Sequence, residues 1–355
     1  MPIQPLTTQI VGSYTKPHWL ARHLKMRALD GSWWRPDPEV LADAKHDAAL
    51  LALYEQERAG LDLVNDGEAQ RASYDRHFLR CLTGIDYDHP DKIITNSEVT
   101  TNETDPADLE EYFGHSATKA RVVSEISWAG PLTVDELIFT KAHASRPIKA
   151  NLIGPITLAG QVSDHAYGDE KALAIAIARA LNQELRALQS AGADVLQIDE
   201  PYFHTRLSAA RRFGKEAIEV LVQGIEIPVI LHVCYGYALS HKVKSTSPTY
   251  PEALQILADC PIRGISLEYE QPKHNPDILR YCGSKHIVLG LLDLANREIE
   301  TPEHVAARLQ DTLAIVPPER LHPCSDCGMW YLPRPVAFGK ISALVAGTNL
   351  VRQRI

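Results

Sequence analysis

The stretch KALAIAIARALNQELRALQSAGADVLQIDEP, residues 171–201, decides the fold. Residues 171–192 carry apolar side chains at helical spacing and end in a glycine, which is typical of a helix and its C-terminal cap. Residues 194–201 then form a short apolar run that ends in Asp199 and Glu200. A helix that leads directly into a buried strand predicts one unit of a parallel α/β fold.

The same short apolar pattern recurs along the chain, separated by further helical segments. One of these helices, 301–316, begins with a threonine cap and an acidic first turn. Eight strands that alternate with helices and are nearly continuous in apolar residues predict a closed parallel (β/α)8 barrel, the TIM barrel. The other seven predicted strands are TQIVGS (8–13), LDLVNDGE (61–68), PIKANLIGP (147–155), PVILHVC (228–234), RGISLEYE (263–270), HIVLGLLD (286–293) and LHPCSDCG (321–328).

One region interrupts this alternation. Residues 80–146, between the second and third predicted strands, contain a long polar stretch at 86–114 and then ARVVSEIS at 120–127. We interpret this region as an excursion from the barrel with its own hairpin or helices. No Gly/Ser-rich or Pro-rich linker divides the chain, so we predict a single domain over residues 1–355.

Composition narrows the class of protein. With 355 residues, 45% of them hydrophobic, and a net charge of −9, the chain has the balance of a globular protein, and its acidity disfavours nucleic acid or an anionic membrane surface as a partner. No apolar run approaches the roughly 20 residues that span a bilayer, and the first residues lack the pattern of a secretory signal. The six cysteines are too few and too scattered for a disulfide scaffold. We therefore expect a cytoplasmic protein.

Polar side chains gather at the ends of the predicted strands, where barrel enzymes place their chemistry. The run 228–234 ends with His232 and Cys234, which leave the same face of a strand because they are two residues apart. A barrel brings all its strand ends around one mouth, so we expect a single site there. The other strand ends carry Ser13, Asp66, Glu68, Asp199, Glu200, Glu268, Glu270, Asp293, Asp326 and Cys327.

This set of imidazole, thiolate and carboxylate groups suits zinc. The H-x-C pair alone is also what a core histidine beside an inert buried cysteine would give. A glutamate from the sixth strand and a cysteine from the eighth complete a zinc site with that pair. The residues leave open whether the glutamate is Glu268 or Glu270 and whether the cysteine is Cys324 or Cys327, and the C-S-D-C run could act as a pair of its own.

Seven motifs in order, VGSY, DGE, IGPITL, QIDEP, HVC, ISLE and DCG, resemble the catalytic half of cobalamin-independent methionine synthase. The resemblance covers nearly the whole chain and is closest at 147–201 and 228–351. It implies a TIM-barrel, zinc-dependent methyltransferase of methionine biosynthesis. The tail at 317–352 and the lack of the N-terminal half of the long enzymes make the chain more similar to the short stand-alone (core) relatives. These include core methionine synthases that use corrinoid donors and epoxyalkane:coenzyme M transferases.

The resemblance implies specific roles for the residues at the mouth. The implied zinc ligands are His232, Cys234, Glu268 and Cys327. The implied contacts to the amino acid part of homocysteine are Ser13, through its backbone, Glu68 and Asp199. We expect Asp199 and Asp293 to be the catalytic acids.

Two departures from the family pattern concern the methyl donor. In the long, folate-using enzymes a tryptophan after the GP-x-T motif packs on the pteridine ring, whereas this chain has Gln161. A histidine thought to protonate the departing folate is replaced by Ala295, and the acids available to replace it are Asp293 and His165. A corrinoid leaves as a reduced metal centre and needs no proton. We therefore expect a methylcorrinoid, carried by a partner protein, or another small activated methyl compound, rather than free methylfolate.

The expected chemistry is attack by a zinc-activated thiol, homocysteine above all, on the methyl donor, which gives methionine. One alternative within the same chemistry is alkyl transfer to another thiol, of the epoxyalkane:coenzyme M type. A second is a decarboxylase like uroporphyrinogen decarboxylase, which shares the fold but has no use for a thiolate set. A third is a zinc-binding structural barrel without turnover, against which Glu68 and Asp199 at the same mouth argue.

Overall fold

The structure, a computed structural model, describes residues 4–21, 34–71, 76–92, 118–235 and 249–355. None of the helices in this part of the chain has the length and apolar character that crossing a membrane requires. The strands are β1 (Ile85–Lys92), β2 (Thr118–Val122), β3 (Lys149–Ile153), β4 (Ser163–Asp164), β5 (Val195–Asp199), β6 (Val229–Val233), β7 (Gly264–Leu267), β8 (His286–Gly290) and β9 (Leu321–Cys324). The α-helices are α1 (Leu41–Ala59), α2 (Arg76–Leu79), α3 (Val134–His143), α4 (Pro155–Gln161), α5 (Glu170–Ser190), α6 (Tyr202–Thr205), α7 (Leu207–Ala209), α8 (Lys215–Leu221), α9 (Thr249–Ala258), α10 (Pro302–Leu313) and α11 (Arg334–Arg352).

Six parallel strands form the central sheet in the order β3-β5-β6-β7-β8-β9. Strands that follow one another along the chain are therefore neighbours in the sheet, with helices between them, as in the repeated βα units of a TIM barrel. The predicted α/β fold class is confirmed. The two helices singled out from the sequence are also present, as α5 and α10, and each is capped by a side chain: Asp169 accepts the Lys171 N–H, and Thr301 accepts the His304 N–H.

The first two predicted strands are not regular strands, which corrects the prediction of eight. Residues 8–13 and 61–68 have no strand ladder, because Asp62 binds both the backbone N–H and the hydroxyl of Thr8, and because a turn bends the chain after Asn65. They nevertheless occupy the space between the two edges of the sheet. The Gln9 N–H donates to the Pro323 carbonyl of β9, the Leu63 N–H to the Thr8 carbonyl, and the Lys149 N–H of β3 to the Val64 carbonyl.

A layer of side chains from these same segments fills the interior of the barrel. One buried cluster contains a residue from each of the two irregular segments and from β5, β6, β8 and β9. Its members are Val11, Leu63, Val195, Ile230, Val288 and Cys324. The irregular segments therefore supply core residues as barrel strands do, although their backbones do not pair regularly.

The excursion at 80–146 has structure of its own outside the six-stranded sheet. β1 and β2 pair antiparallel, and β2 pairs in parallel with the short β4. Helix α3 follows, before the chain enters β3. Residues 93–117 of this region lie outside the described residues. The single domain over 1–355 stays a prediction.

A candidate metal centre at the strand ends

Three of the predicted metal ligands converge where the strands end. The ligand atoms of His232, Cys234 and Cys327 all lie within 4.8 Å of one another, and all three residues are buried. His232 lies near the end of β6, Cys234 follows that strand directly, and Cys327 follows β9. A tetrahedral zinc ion with bonds of about 2.0–2.3 Å would draw such atoms to separations below about 4 Å. The group therefore fits zinc after small side-chain movements.

The imidazole of His232 is held in an orientation that suits metal binding. Its Nδ1 lies 2.9 Å from the Oγ of Ser266, its register partner on β7. Its Nε2 is buried and has no hydrogen-bond partner among the described residues. Burial opposes protonation, but the neighbouring Cys234, Asp199 and Glu268 outweigh it and raise the pKa of His232. A buried ring nitrogen in such an electronegative setting is one that a bound cation would satisfy.

Of the two candidate glutamates, Glu268 stands beside this group. Its side chain is fully buried, and its carboxylate accepts the N–H of Tyr235, directly after the H-x-C pair, at 3.1 Å. Glu270 instead pairs with Arg308 at 2.7 Å and with His304 at 2.9 Å. Burial acts to raise the pKa of Glu270, but the hydrogen bonds from Lys273, His304 and Arg308 outweigh burial and hold this pKa below its usual range. Glu268 as the fourth metal ligand stays a prediction, and Glu270 has a structural role.

The two cysteines of the C-S-D-C run also have different surroundings. Cys324 lies within β9 and packs in the interior layer with Val288 and Val11. Burial raises the pKa of the Cys324 thiol to about 12, so that it stays protonated and unreactive at neutral pH. Cys327, beyond the strand end, is the one that approaches His232. The C-S-D-C run is therefore arranged as one packing cysteine and one potential ligand.

Asp199 ends β5 directly opposite His232 of β6. Gln197 donates from Nε2 to the Asp199 Oδ1 at 2.8 Å. Burial, chiefly, raises the pKa of Asp199 to about 7, with a further contribution from the charge of Glu68, while His232 acts in the opposite direction. A buried carboxylate whose ionised form is disfavoured gains most from a cation that arrives beside it.

Glu68 and Ser13 lie on the two irregular segments. Glu68 is buried with a positive φ of 53°, and its carboxylate lies close enough to Gly12 that a Cβ there would overlap it. Burial raises the pKa of Glu68, although Arg71, whose Nη1 is 3.6 Å from Oε1, opposes this. The Ser13 carbonyl accepts the Met329 N–H, and its Oγ is buried with no hydrogen-bond partner in the described part of the chain. Their roles in substrate binding stay predictions.

Two of the motifs, QIDEP and IGPITL, form one structural unit. The Glu200 carboxylate, fully buried, accepts the N–H groups of Ile156 and Thr157 at 2.8 and 2.9 Å and the Thr157 hydroxyl at 2.6 Å. The carboxylate thus caps the first turn of α4. Burial raises the pKa of Glu200 to about 7, although these three donors oppose the shift. Gly154 is required beside it, because a Cβ there would overlap the Glu200 side chain. The unit fixes the backbone directly after Asp199.

Asp326 fixes the loop that carries Cys327. Its carboxylate accepts the N–H of Glu270 at 3.2 Å and that of Gln271 at 2.6 Å. Asp326 is fully buried, so these bonds are shielded from water. The loop after β9 is thereby tied to the loop after β7, which brings the cysteine and the glutamate side of the site together.

The positions that bear on the methyl donor have other partners. Gln161 donates to a tyrosine hydroxyl at 3.1 Å. Asp293, one-quarter exposed, accepts the Ala295 N–H at 3.0 Å within its own loop. His165 lies beside the excursion sheet, where its Nε2 is 2.6 Å from the Asp91 carboxylate of β1. Asp293 as a catalytic acid stays a prediction.

Sequence reasoning missed three buried polar residues near the site. Ser266 orients His232, and its position two residues before Glu268 in a strand was a signal, since such residues share a face. The Tyr250 hydroxyl donates to the Val233 carbonyl at 2.8 Å and accepts the Glu268 N–H at 3.2 Å, and nothing in the sequence pointed to it. Lys149 is the one charged residue of a mostly apolar predicted strand, PIKANLIGP (147–155), which was a visible signal.

Comparison with known proteins finds relatives that match nearly the whole chain. Residues 6–349 match the family model described as the catalytic domain of the cobalamin-independent synthase. The methionine synthase of Sulfurisphaera tokodaii is 30% identical over a match that covers 100% of this chain and 94% of that protein. The methionine synthase of Thermococcus kodakarensis is also 30% identical, with 100% of this chain and 95% of that protein covered.

Solved structures give the same picture. A B12-independent methionine synthase from Shewanella sp. W3-18-1, in complex with selenomethionine, superposes with a TM-score of 0.87 at 30% identity and 99% coverage of both chains. A methyltransferase from Methanosarcina mazei superposes with a TM-score of 0.59 at 17% identity, over 99% of this chain and 95% of that one. The second similarity concerns the fold alone.

Proposed function

Because the chain belongs to the cobalamin-independent methionine synthase family and is thereby a methyltransferase of the methionine synthase type, we propose that it transfers a methyl group to the sulfur of homocysteine in a zinc-dependent reaction. The observation that carries the zinc dependence is the convergence of His232, Cys234 and Cys327. Their nitrogen and two sulfur atoms, with a buried carboxylate alongside, form a donor set that binds zinc in preference to harder cations.

His232, Cys234, Glu268 and Cys327 would hold the metal. Bound zinc supplies a thiolate at neutral pH, because it lowers the pKa of a coordinated thiol while leaving the sulfur nucleophilic. The residues around it keep this set in place. Ser266 fixes the ring of His232, Tyr250 bridges the ends of β6 and β7, and Asp326 ties the Cys327 loop to the Glu268 side.

Asp199 and Glu68 would receive the ammonium group of homocysteine. Both are buried carboxylates whose pKa values are raised chiefly by burial, so an incoming cation stabilises their ionised form. Ser13 would contribute to the same binding through its backbone. An amino acid thiol therefore suits this mouth better than a thiol without an amino group, which is the reason to prefer homocysteine over coenzyme M.

The donor would be a methylcorrinoid rather than free methylfolate. Departure of folate from its N5 needs a proton, and Ala295 cannot supply one. Gln161 offers no aromatic face for a pteridine ring. A corrinoid, carried by a partner protein, has neither requirement.

Thiol selectivity tests this proposal directly. Purified zinc-loaded protein is given methylcobalamin and either L-homocysteine or coenzyme M, and the thioether products are measured by mass spectrometry. We expect methionine from homocysteine at a rate well above that of methylated coenzyme M. Alkylation of coenzyme M with no methionine formed from any donor would instead assign the protein to the epoxyalkane:coenzyme M type of reaction.

A further inference from the structure

A lysine is buried inside the barrel beneath the site. Lys149 of β3 is 2% exposed, and its Nζ donates to the Gln197 Oε1 at 2.7 Å, the Gln9 Oε1 at 2.8 Å and the Ile10 carbonyl at 2.6 Å. An ammonium group has three N–H donors, and all three are used. Burial lowers the pKa of Lys149 to about 8, although the acidic groups nearby, Cys324, Asp199 and Glu68, oppose this shift wherever they are ionised. The group is therefore a cation at neutral pH.

The hydrogen bonds of Lys149 determine the orientation of the neighbouring amide. Since the Gln197 Oε1 accepts from Lys149, its Nε2 must point the other way, where it donates to the Asp199 Oδ1 and to the Val11 carbonyl, both at 2.8 Å. A flipped amide would place an NH2 group against the ammonium and an oxygen against both the carboxylate and the Val11 carbonyl, three repulsive contacts. The lysine thus guarantees a donor, not an acceptor, beside Asp199.

We propose that Lys149 is a positioning residue for the amino acid substrate, which acts through Gln197 to keep an N–H donor against the Asp199 carboxylate and so to hold that carboxylate aimed at the substrate's ammonium group. This inference rests on the proposed function. The fixed Gln197 donor binds the Asp199 Oδ1 at 2.8 Å, so it sets the orientation of the carboxylate at the end of β5.

Packing alone would not explain this lysine. The interior layer around it is built from Val11, Leu63, Val195 and Ile230, and a further aliphatic side chain would fill a position on β3 at a lower desolvation cost. The ammonium group of Lys149 instead has polar partners, and its hydrogen bonds reach Asp199 through one residue, Gln197.

Two variants test the relay at different points. Lys149→Met keeps the approximate length of the side chain and removes the charge. Gln197→Glu leaves Lys149 with an acceptor, and a stronger one, but replaces the donor beside Asp199 by a carboxylate. If Lys149→Met does not fold, Gln197→Glu still decides the question, because its buried lysine keeps a partner.

The measurement is calorimetric binding of two ligands to the zinc-loaded protein. One is L-methionine, the product of the proposed reaction, and the other is 4-(methylthio)butanoate, which lacks only the amino group. We expect both variants to bind L-methionine about tenfold or more weakly, the scale of a lost hydrogen bond to a charged group. Binding of 4-(methylthio)butanoate and the zinc content should be unchanged. If Lys149 and Gln197 had only a structural role, the binding of both ligands would be weakened to the same extent.

A double-mutant cycle shows whether the effect passes through Asp199. In a background of Asp199→Asn, the Lys149→Met substitution should have no further effect on L-methionine binding. Additive losses, or wild-type affinity in Lys149→Met and Gln197→Glu, would overturn the inference. If the wild-type protein binds neither ligand, the proposed function itself fails, which is a different result from a variant that matches a binding-competent wild type.

Discussion

Asp199 and His232 are register partners at the adjoining ends of β5 and β6. Adjacent strands are about 4.8 Å apart, so the carboxylate proposed to receive an ammonium group and the first proposed metal ligand lie side by side. A short α-amino thiol has its two functional groups at a comparable separation. One parallel strand pair therefore brings together the group that would hold the substrate and the group that would activate it.

Replacing Asp199 by Asn should separate substrate binding from metal binding. The variant keeps the shape of the side chain but removes the charge, so the KM for homocysteine should rise about 10- to 100-fold, the scale of a hydrogen bond between charged groups. Zinc content should stay at the wild-type level, because Asp199 is not a proposed ligand. Steady-state kinetics and metal analysis on the same preparation check both points.

The control for Asp199→Asn is a thiol without an amino group. Methylation of coenzyme M, however slow, should be unaffected by the substitution. If the homocysteine kinetics of Asp199→Asn equal those of wild type, the assignment of an amino acid substrate to this mouth is wrong.

The contact between Gly154 and Glu200 makes a prediction about stability. The backbone of Gly154, with φ −88° and ψ 162°, is open to any residue, so glycine is needed there only for space. Gly154→Ala should lower the free energy of unfolding by about 2 kcal/mol or more, because the new methyl group displaces a buried carboxylate from three hydrogen bonds. Urea denaturation measures the loss.

Glu200→Ala provides the matched background for this test. Once the side chain is shortened, the Cβ at position 154 has room, and Gly154→Ala should be much less destabilising. An equal loss in both backgrounds would mean that the clash with Glu200 is not the reason for the glycine.

The stacked pair His286 and His322 predicts loss of stability in acid. Their rings are 5.3 Å apart, and the His286 Nδ1 lies 3.0 Å from the His322 Nε2. Burial lowers the pKa of His322 to about 3 and that of His286 to about 4. The unfolded chain, with histidine pKa values near 6.5, binds these protons first, so this contribution to stability is complete above about pH 6.5 and is lost as the pH falls.

The variant His322→Gln lacks one of the two side chains that bind a proton in the unfolded chain but not in the folded one. The fully buried His322 should account for about 1.4 kcal/mol per pH unit below pH 6.5, so between pH 7 and pH 5 the variant should lose about 2 kcal/mol less than wild type. Denaturation of both proteins with a chelator present keeps metal loss out of the comparison. Parallel pH profiles for the two proteins would contradict the assignment.

Donor selectivity follows from Ala295 and Gln161. With L-homocysteine as acceptor, methylcobalamin should support methionine formation, whereas methylfolate, as mono- or polyglutamate, should be at least about 100-fold slower, the lower range of a missing general acid. Methionine is quantified over time with each donor at equal concentration. Turnover of methylfolate at several per second in the absence of any corrinoid would show that another group, such as Asp293 or His165, supplies the proton.

Much of the fold could be predicted from local pattern. The six strands of the central sheet, between β3 and β9, are nearly continuous apolar runs, and α5 and α10 carry their caps in the sequence. Residues 8–13 and 61–68 have the same apolar pattern but no strand ladder. Their conformation depends on distant hydrogen bonds, such as the one from Thr8 to Asp62, which side-chain periodicity does not contain.

The sequence nominated the residues of the candidate metal centre more readily than the residues that hold them in place. Strand ends and residue chemistry were enough to nominate His232, Cys234 and a cysteine of the last predicted strand, because parallel strands bring their ends together. The residues alone left Cys324 and Cys327 open, the family resemblance implied Cys327, and the packing shows that Cys324 lies in the interior layer. Tyr250 lies in a helix, and the periodicity of the sequence does not predict that its hydroxyl bridges the ends of two strands.

Zinc content of three purified proteins, measured by mass spectrometry of the metal, tests the central claim most directly. Wild type and Cys324→Ser should each hold about one zinc per chain, because Cys324 serves only in packing. Cys327→Ser should lose most of its zinc and its activity, since a neutral hydroxyl is a poor substitute for a thiolate ligand. Full zinc occupancy in Cys327→Ser together with loss in Cys324→Ser would contradict the site, and a wild-type protein that binds no zinc would refute it altogether.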